Sequence, residues 1–529
     1  MLQQYDKNLE HLPDRESFSR SDKKIIKDAG VVGTLMVISR ILGFVRDSVA
    51  AMILGAGIYS DAFFAAFRIP DLFRKFFSDG ALSIFFIPVF TTILSQKGKK
   101  DAFDMALSAL AFILLSGLLF LFLYFLFTES FFATPDLTIQ LTNIMMPYLI
   151  FVSLMSICMA VLNSMGHFAA PAVAPVILNI TIIIFALFIA RFSTQPAVVI
   201  AWGVAIGGFF QLFIQIPFMM KKGFTFKGRV TLFHPDAMRT FKIMLPSLVG
   251  IAPCQINMLA ATFMASSMTS KFYEGSVSYL YYADRLVQFP LALFTVSVST
   301  SIFPLISKSV AMSDICQASA LFVKGVRIVL FMIIPSTAGL IVLREPIVAL
   351  LFYQGAFNIN DVYATSWVIF CLCGGLWAFS GLRIIVPIFY ALSNITIPFI
   401  GGVVSIISNI VLSLVLMDKL GVYGLSISIS CASILNLIFL VKALSTVNFS
   451  LSWREVIYTG LRSSFFALIM YAVVYIASKS LCPAEIFTDK SRLLFGVVVS
   501  IILGASVYAG LGLIFKIPEL KFLKLFNRK

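Results

Sequence analysis

The sequence predicts an all-α membrane protein of about fourteen transmembrane helices, arranged as two six-helix lobes related by a parallel repeat and followed by two C-terminal helices. Hydrophobic residues make up 60% of the 529 residues and charged residues only 12%, and the mean hydropathy is +0.98. This composition excludes a soluble globular protein. The net charge of +15 does not indicate a nucleic-acid partner, because Lys and Arg occur mostly in short connections between apolar segments and in the two tails.

Apolar segments long enough to cross a bilayer follow one another along the chain, separated by polar breaks. They lie near residues 30–55, 62–94, 102–127, 138–164, 169–190, 197–220, 240–268, 276–306, 320–343, 363–391, 396–417, 421–443, 457–478 and 492–515. An even number of spans places both termini on one side of the membrane. The basic connections that contain Lys97, Lys221, Lys308 and Lys442 fall on that side, so the positive-inside rule predicts that it is cytoplasmic.

The spans and tails predict five regions. We expect a polar cytoplasmic tail (1–27), an N-lobe (28–222), a C-lobe (223–445), a C-terminal helix pair (446–515) and a basic cytoplasmic tail (516–529). The first region is polar and charged, so no cleavable signal peptide is expected there.

The two lobes are predicted from an internal repeat. The segment "AFRI" at 66–69 matches "ADRL" at 283–286, and Pro88 matches Pro304 in the apolar sequence that follows each of them. Six spans separate the paired segments, which preserves their orientation in the membrane. This pattern is typical of transporters whose substrate site lies between two halves.

Ionisable residues are concentrated in the first two spans. The stretch 30–94 contains Arg40, Arg46, Asp47, Asp61, Arg68, Asp71, Arg74, Lys75 and Asp79. One Arg, Lys or Asp at the centre of a membrane helix costs about 2.5–3.5 kcal/mol, so such residues normally face protein or water. The sequence therefore predicts a hydrated cavity inside a helical bundle. Mutual neutralisation that only holds helices together is the alternative, because five cations and four carboxylates leave a net charge of +1.

A second charged cluster occurs in the eighth span, in the sequence "YYADRLVQFP". Asp284 and Arg285 are adjacent there, and the repeat places Arg285 where Arg68 stands in the other lobe. Both lobes are therefore predicted to direct cations into the space between them. Other basic residues, including Arg327, Arg344 and Arg383, lie near predicted span ends, where we expect them to extend towards lipid headgroups.

Neither a metal site nor a cofactor is expected. The chain has three histidines and seven cysteines, and the cysteines lie mostly within apolar runs, which favours small core residues. No Walker A phosphate loop is present in the sequence.

The first two spans, "SRILGFVRDSVAAMILGAGIYSDAFFAAFRIPDLFRKFFSDGALSIFFIPVF", and the eighth-span motif closely resemble the MurJ (MviN) family of bacterial lipid II flippases, within the superfamily of the MATE exporters. The likeness continues through "MPYLIFVSLMSICMAVLNSMGHFAAPAVAPVILNI" and "GLSISISCASILN", so it covers nearly the whole chain from about residue 28.

The resemblance implies a multi-pass inner-membrane transporter, not an enzyme. It would move the undecaprenyl-diphosphate-linked peptidoglycan precursor from the cytoplasmic to the periplasmic leaflet by alternating access. Lipid II and membrane lipids are the partners implied, with other cell-wall synthesis proteins as further candidates.

The same resemblance assigns the substrate-binding residues. They are expected to be Arg40, Arg46, Asp47, Asp61, Arg74 and Arg285. The two charged clusters add Arg68, Lys75, Asp79, Asp284 and Gln288 as secondary candidates. Arginine suits a diphosphate, because its planar guanidinium binds phosphate oxygens in pairs and stays charged in a poorly hydrated site. Asp47 and Asp61 would position or pair with the arginines, and the last two helices would border a groove for the lipid tail.

Two positions depart from the family pattern. Many members carry Glu where this chain has Gln288, and some hold sodium through a seventh-helix acid, whereas the seventh span here offers Gln255 and Asn257. The sequence therefore supports neither a carboxylate role at residue 288 nor sodium coupling, and the membrane potential acting on charged groups stays an open alternative.

Other functions stay open at this point. A flippase of another lipid-linked oligosaccharide would share the architecture. A MATE-type exporter of cationic drugs should prefer acidic and aromatic cavity residues to an arginine cluster. In a non-transporting membrane scaffold the intramembrane arginines would serve only to pair with acids. A membrane-bound glycan-polymerising enzyme is disfavoured, because the sequence places no acid beside a soluble loop large enough for catalysis.

Overall fold

The computed structural model describes residues 15–77, 81–131, 136–267, 274–445, 449 and 452–519. Within these ranges the chain is helical and contains no strand. The first half forms α1 (Arg15–Leu54), α2 (Ile58–Phe77), α3 (Ala81–Gln96), α4 (Lys99–Phe131), α5 (Leu137–Met145), α6 (Tyr148–Ser164), α7 (Ala169–Ile184), α8 (Pro196–Phe213) and α9 (Gln215–Lys221). The second half forms α10 (Pro235–Ser267), α11 (Ser276–Pro290), α12 (Val296–Ala311), α13 (Ile315–Val342), α14 (Arg344–Phe352), α15 (Ile359–Cys373), α16 (Leu376–Ala391), α17 (Thr396–Leu420), α18 (Val422–Ser445), α19 (Trp453–Leu481) and α20 (Lys490–Ile514).

Many of these helices, alone or as consecutive pairs, are long and apolar enough to cross a membrane. In the described residues ten helical segments can cross a membrane, with α5 and α6, α8 and α9, and α11 and α12 each counted as one segment. The number is eleven when α15 and α16, which are bent by 48° relative to each other, form one span. This confirms an all-α polytopic membrane protein. Fourteen spans would require three more: α1, the pair α2 and α3, and α10. The number fourteen therefore stays a prediction.

Proline and glycine shape the segment that carries the eighth-span motif. Gly275 has a φ of +90° and precedes α11, a conformation that glycine adopts without a steric penalty. Pro290 ends α11, and a π-helical turn (Leu291–Thr295) connects it to α12. The missing amide hydrogen of proline explains why the regular helix is interrupted here.

We keep the names N-lobe and C-lobe for residues 28–222 and 223–445. Aromatic residues of the two lobes pack against each other in one buried core: Phe64 stacks on Tyr281 with 3.9 Å between ring centroids and makes an edge contact with Tyr282 at 5.2 Å. The helix α10 contacts α2 and α3 of the N-lobe and also α17 of the C-lobe. It therefore bridges the two lobes.

The lobes also meet through backbone contacts at one end of the bundle. We call this the far end; it is where α1 ends and α11 begins, and the opposite end is the near end. The Ser48 hydroxyl donates to the Leu351 carbonyl at 2.6 Å, and the Ala356 amide donates to the Met52 carbonyl at 2.9 Å. Gly355 permits this approach, because a Cβ there would lie 2.2 Å from the Met52 carbonyl oxygen. The far end is thus closed.

The C-terminal helix pair packs on the C-lobe. The helix α19 lies along α13, and α20 contacts both α19 and α14. Phe331, Phe466 and Tyr508 form a small core between these helices. Beyond α20, Glu519 is buried and pairs with Arg327 and Arg462, at 2.8 Å in each case.

Candidate functional site

The centre of the site is formed by Arg46 and Asp47 of α1. Arg46 Nη2 and Asp47 Oδ1 are 2.7 Å apart, and Arg46 Nη1 donates to Asn179 Oδ1 at 3.1 Å. Asn179 of α7 is buried and donates in turn to the Ser39 carbonyl. Arg46 is therefore held by a carboxylate beside it and by an amide that the sequence analysis did not select.

The C-lobe contributes Arg285 to the same cluster. Arg285 Nε lies 3.4 Å from Asp47 Oδ2, and Arg285 Nη2 donates to the Tyr281 hydroxyl at 2.8 Å. That hydroxyl donates to Asp47 Oδ1 and accepts from Arg46, at 3.3 Å in each case. Residues 281 and 285 can share these contacts because they lie one turn apart on the same face of α11.

This group, which we call the interlobe cluster (Arg46, Asp47, Tyr281 and Arg285), has one carboxylate for two guanidinium groups. Asp47 is buried, whereas 31% of the Arg285 side chain and 12% of the Arg46 side chain remain exposed. A net positive charge on two arginine side chains that stay partly exposed can bind an anion. The mutual neutralisation that the sequence left open is therefore incomplete here.

A second group follows on α2. Asp71 is buried and pairs with Arg74 at 2.8 Å and with Lys75 at 3.0 Å, at the helical spacings that the sequence indicated. About a quarter of each cation remains exposed. Asp71 thus serves two cations, as Asp47 does in the interlobe cluster.

Asp61 makes other contacts than expected. Its carboxylate accepts hydrogen bonds from the Gly275 amide at 2.8 Å, the Ser278 amide at 2.9 Å and the Ser278 hydroxyl at 2.6 Å. A carboxylate at a helix N-terminus satisfies amides that have no partner within the helix and interacts favourably with the helix dipole. Among the described residues Asp61 pairs with no arginine; it ties α2 of the N-lobe to the start of α11 at the far end.

The remaining candidates are dispersed. Arg40 is exposed. Arg68 is buried and donates to the Thr262 hydroxyl of α10 at 3.1 Å, so it does not join Arg285 as the repeat suggested. Gln288 donates to Asp284 at 3.2 Å, and Asp79 lies outside the described residues.

One residue that the sequence analysis set aside contacts these candidates. Arg383 was expected to extend towards the headgroups, yet its Nη2 atom donates to Gln288 Oε1 at 2.6 Å. The only sequence feature that could have pointed to this contact is the position of Arg383 within the predicted span 363–391, eight residues before its end. Its partner on another helix could not be read from spacing.

Comparison with known proteins assigns the family. Residues 50–491, most of the chain, match the family described as MurJ, lipid II flippase MurJ. The chain belongs to the MurJ family. A probable lipid II flippase MurJ of Buchnera aphidicola subsp. Acyrthosiphon pisum is 34% identical over 492 residues, which cover 90% of this chain and 95% of the relative. Lipid II flippase MurJ of Burkholderia cenocepacia is 31% identical over 425 residues, covering 77% and 81%.

Solved structures agree with this membership of the MurJ family. The structure of lipid II flippase MurJ in an inward closed conformation aligns with a TM-score of 0.74 and 27% identity, covering 92% of this chain and 98% of that one. An inward-facing multidrug resistance MATE transporter aligns with a TM-score of 0.63 and 14% identity, covering 79% and 99%. The second likeness shows a shared fold alone. The family and the fold predicted from the sequence are thus confirmed.

The described side chains of the seventh span around Asn257 of α10 are neutral in this chain. Asn257 Nδ2 donates to the Ser405 hydroxyl at 2.9 Å, and the Asn257 carbonyl accepts from Asn409 at 3.3 Å. Asn257 Oδ1 is buried without a donor among the described residues, but an amide oxygen carries only a partial charge. No carboxylate is available there to offset the desolvation of a cation, so these residues do not fit an acid-based sodium site.

Proposed function

We propose that this chain flips lipid II, the undecaprenyl-diphosphate-linked peptidoglycan precursor, from the cytoplasmic to the periplasmic leaflet by alternating access. The relatives that it matches are named lipid II flippases. The observation that carries the proposal is the interlobe cluster, in which Arg46 and Arg285 from opposite lobes share the single carboxylate of Asp47. A diphosphate offers several anionic oxygens that two guanidinium groups can bind together.

The positive-inside pattern gives the orientation that we propose. The start of α1 and the connections predicted to be cytoplasmic belong to the near end, so we assign the near end to the cytoplasm and the far end to the periplasm. The periplasmic end is closed by the contacts of Ser48, Met52 and Asp61 with the C-lobe. A conformation closed at this end could take up substrate only from the cytoplasmic side of a bacterial inner membrane.

Substrate and Asp47 would compete for the same arginines. When the diphosphate binds Arg46 and Arg285, it replaces the carboxylate that now joins the two lobes. Loss of that link, together with release of Asp61 from α11, would let the far end open. The lipid tail can stay in hydrocarbon, where exposed apolar residues of α19 and α20 such as Leu468 and Ile502 offer it a surface. No covalent step is required.

Complementation of a flippase-depleted bacterium tests this function. We expect Arg46→Ala and Arg285→Ala each to abolish growth while membrane abundance and thermal stability stay near those of the wild type. Arg492→Ala is the matched control, because that side chain is 77% exposed beside Asp489 at the start of α20. Normal growth of both cluster variants would refute the assignment.

The interlobe cluster does not by itself distinguish lipid II from another lipid-linked cargo. A flippase of a different lipid-linked oligosaccharide would bind the same diphosphate, so only the sugar and peptide would differ. In reconstituted vesicles we expect this chain to move fluorescent lipid II and not an undecaprenyl-diphosphate oligosaccharide without the peptide. The opposite preference would favour the other flippase.

A further inference from the structure

We propose that Lys490 of α20 is a positioning residue that keeps the far end closed, because it holds the last turn of α14 at the place where that turn meets the N-lobe. The C-terminal helix pair then takes part in gating, in addition to offering a surface to a lipid tail. This inference rests on the proposed function, which requires the far end to open during transport.

Lys490 binds the end of α14 through its ammonium group. Lys490 Nζ donates to the Ala349 carbonyl and, at 3.2 Å, to the Leu350 carbonyl, and it lies 5.8 Å from the centre of the Tyr353 ring. The last carbonyls of a helix have no partner within the helix, and a cation beside them interacts favourably with the helix dipole. The Lys490 side chain is half-buried, and its described hydrogen-bond partners are these carbonyls. It is therefore attached to the end of α14.

The next carbonyl of α14 takes part in the closure between the lobes. The Ser48 hydroxyl donates to the Leu351 carbonyl at 2.6 Å, and Gln354 Nε2 donates to the Ser48 carbonyl at 3.3 Å. Two residues further along, the Ala356 amide donates to the Met52 carbonyl at 2.9 Å. The hydrogen bonds from this segment to α1 of the N-lobe thus begin at the carbonyl that follows those bound by the ammonium group.

The helix α14 is short and separate from α13. Leu343, with φ −100° and ψ 11°, lies between the two helices and departs from helical values. The nine residues of α14 span about 13 Å, and Phe352 at its end packs against Tyr282 of α11 at 4.7 Å. Since α14 contacts α1, α15 and α20, a shift of α20 can move the end of α14 relative to the N-lobe.

The reactivity of a cysteine at the far end measures whether this end is closed. Ser60 is fully buried there, with its hydroxyl 2.8 Å from that of Ser278, so Ser60→Cys should react with a water-soluble maleimide only when the far end opens. The alkylation rate is measured on the purified full-length chain, without lipid II, by mass spectrometry of the peptides.

Lys490→Met is the test variant in the Ser60→Cys parent. It removes the charged donor and keeps an apolar side chain of similar length. We expect the alkylation rate at residue 60 to rise about fivefold or more, because a charge-assisted contact that holds α14 is lost. Lys490→Arg should stay near the parent, because a guanidinium group can also donate to carbonyls.

Lys479→Met is the matched control. Lys479 lies at the same end of the C-terminal helix pair but is exposed, and its cation–π contact is with Tyr475 of its own helix. Its loss should leave the rate at residue 60 unchanged. The native Cys158 is buried in the N-lobe and reports general loosening of the fold, so we expect it to stay unreactive in every variant.

A double-mutant cycle with Ser48→Ala tests whether Lys490 acts through α14. Ser48→Ala removes the N-lobe donor to the Leu351 carbonyl and should itself raise the rate at residue 60. If both side chains hold the same turn of α14, Lys490→Met should have a smaller effect in the Ser48→Ala background. Effects of the two substitutions that simply multiply would overturn the link through α14.

The outcomes separate this role from the proposed function. Equal alkylation rates at residue 60 in Lys490→Met and its parent, or an equal rise at Cys158, would overturn the role of Lys490 and leave the proposed function standing, because no lipid II takes part in the measurement. A wild type that moves no lipid II in reconstituted vesicles would overturn the proposed function instead.

Discussion

Asp47 Oδ2 of the N-lobe lies 3.4 Å from Arg285 Nε of the C-lobe, and the other oxygen of the same carboxylate pairs with Arg46. One buried acid thus joins arginines of both halves of the molecule. It stabilises the site when no substrate is bound, and it occupies the donors that a diphosphate needs. The proposed transport cycle depends on this competition.

Asp47→Asn should therefore separate binding from transport. The amide keeps the shape of the side chain but cannot neutralise two guanidinium groups. We expect undecaprenyl diphosphate to bind severalfold more tightly, because its competitor is weaker, and flipping to slow by tenfold or more, because release becomes unfavourable. Titration of the purified variant and lipid II flipping in reconstituted vesicles measure the two quantities. Weaker binding together with normal flipping would contradict the role given to Asp47.

The closed far end can be tested by a reversible cross-link. Ser60 Oγ and Ser278 Oγ, from opposite lobes, are 2.8 Å apart and buried, so cysteines at both positions should form a disulfide without a large backbone shift. If the far end faces the oxidising periplasm, the bond should form in the cell. We expect Ser60→Cys/Ser278→Cys to lose complementation until a reductant is added.

The single variants Ser60→Cys and Ser278→Cys are the controls for this cross-link, and both should support growth. Mass spectrometry after alkylation shows whether the disulfide has formed. A fully cross-linked protein that still flips lipid II would mean that the far end need not open.

The sequence predicted charged membrane helices better than it predicted their partners. Intramembrane Arg46, Asp47 and Arg285 stand out because charge is costly in lipid, and the structure brings these three together. Asp61 stands out equally, yet its partners are backbone amides and a hydroxyl near residue 275, and backbone donors have no sequence signature. Asn179 and Arg383 were missed for a related reason: a polar residue in a helix shows its role only when the facing helix is known. The repeat also misled at Arg68, because two equivalent positions on related helices need not face the same space.

Flipping by this chain should not require sodium. Asn257 donates to the Ser405 hydroxyl, and its backbone carbonyl accepts from Asn409, so the described side chains of this group offer no carboxylate to bind the cation. We expect less than a twofold change in the initial flipping rate when sodium is replaced by potassium or choline in reconstituted vesicles. The same vesicles without the chain provide the background rate. A rate that rises with sodium and saturates would contradict this expectation.

Glu519 should stabilise the C-terminal helix pair in a pH-dependent way. Burial alone would raise the pKa of Glu519, but hydrogen bonds from its own backbone amide and from Arg327, together with the charges of Arg327 and Arg462, lower it below the ordinary glutamate value. A carboxyl group with a lowered pKa in the folded state stabilises the protein at neutral pH, and this contribution is lost as the pH falls through that lower pKa.

Glu519→Gln should therefore lower the Tm by several degrees at pH 7 and by less in acid, since it leaves two partly buried arginines without their shared carboxylate. Thermal unfolding of the purified chain from pH 7 into the acid range measures the effect. Glu485→Gln is the control, because Glu485 is exposed. The same Tm decrease at every pH would mean that the ionised carboxylate of Glu519 is not what stabilises the pair.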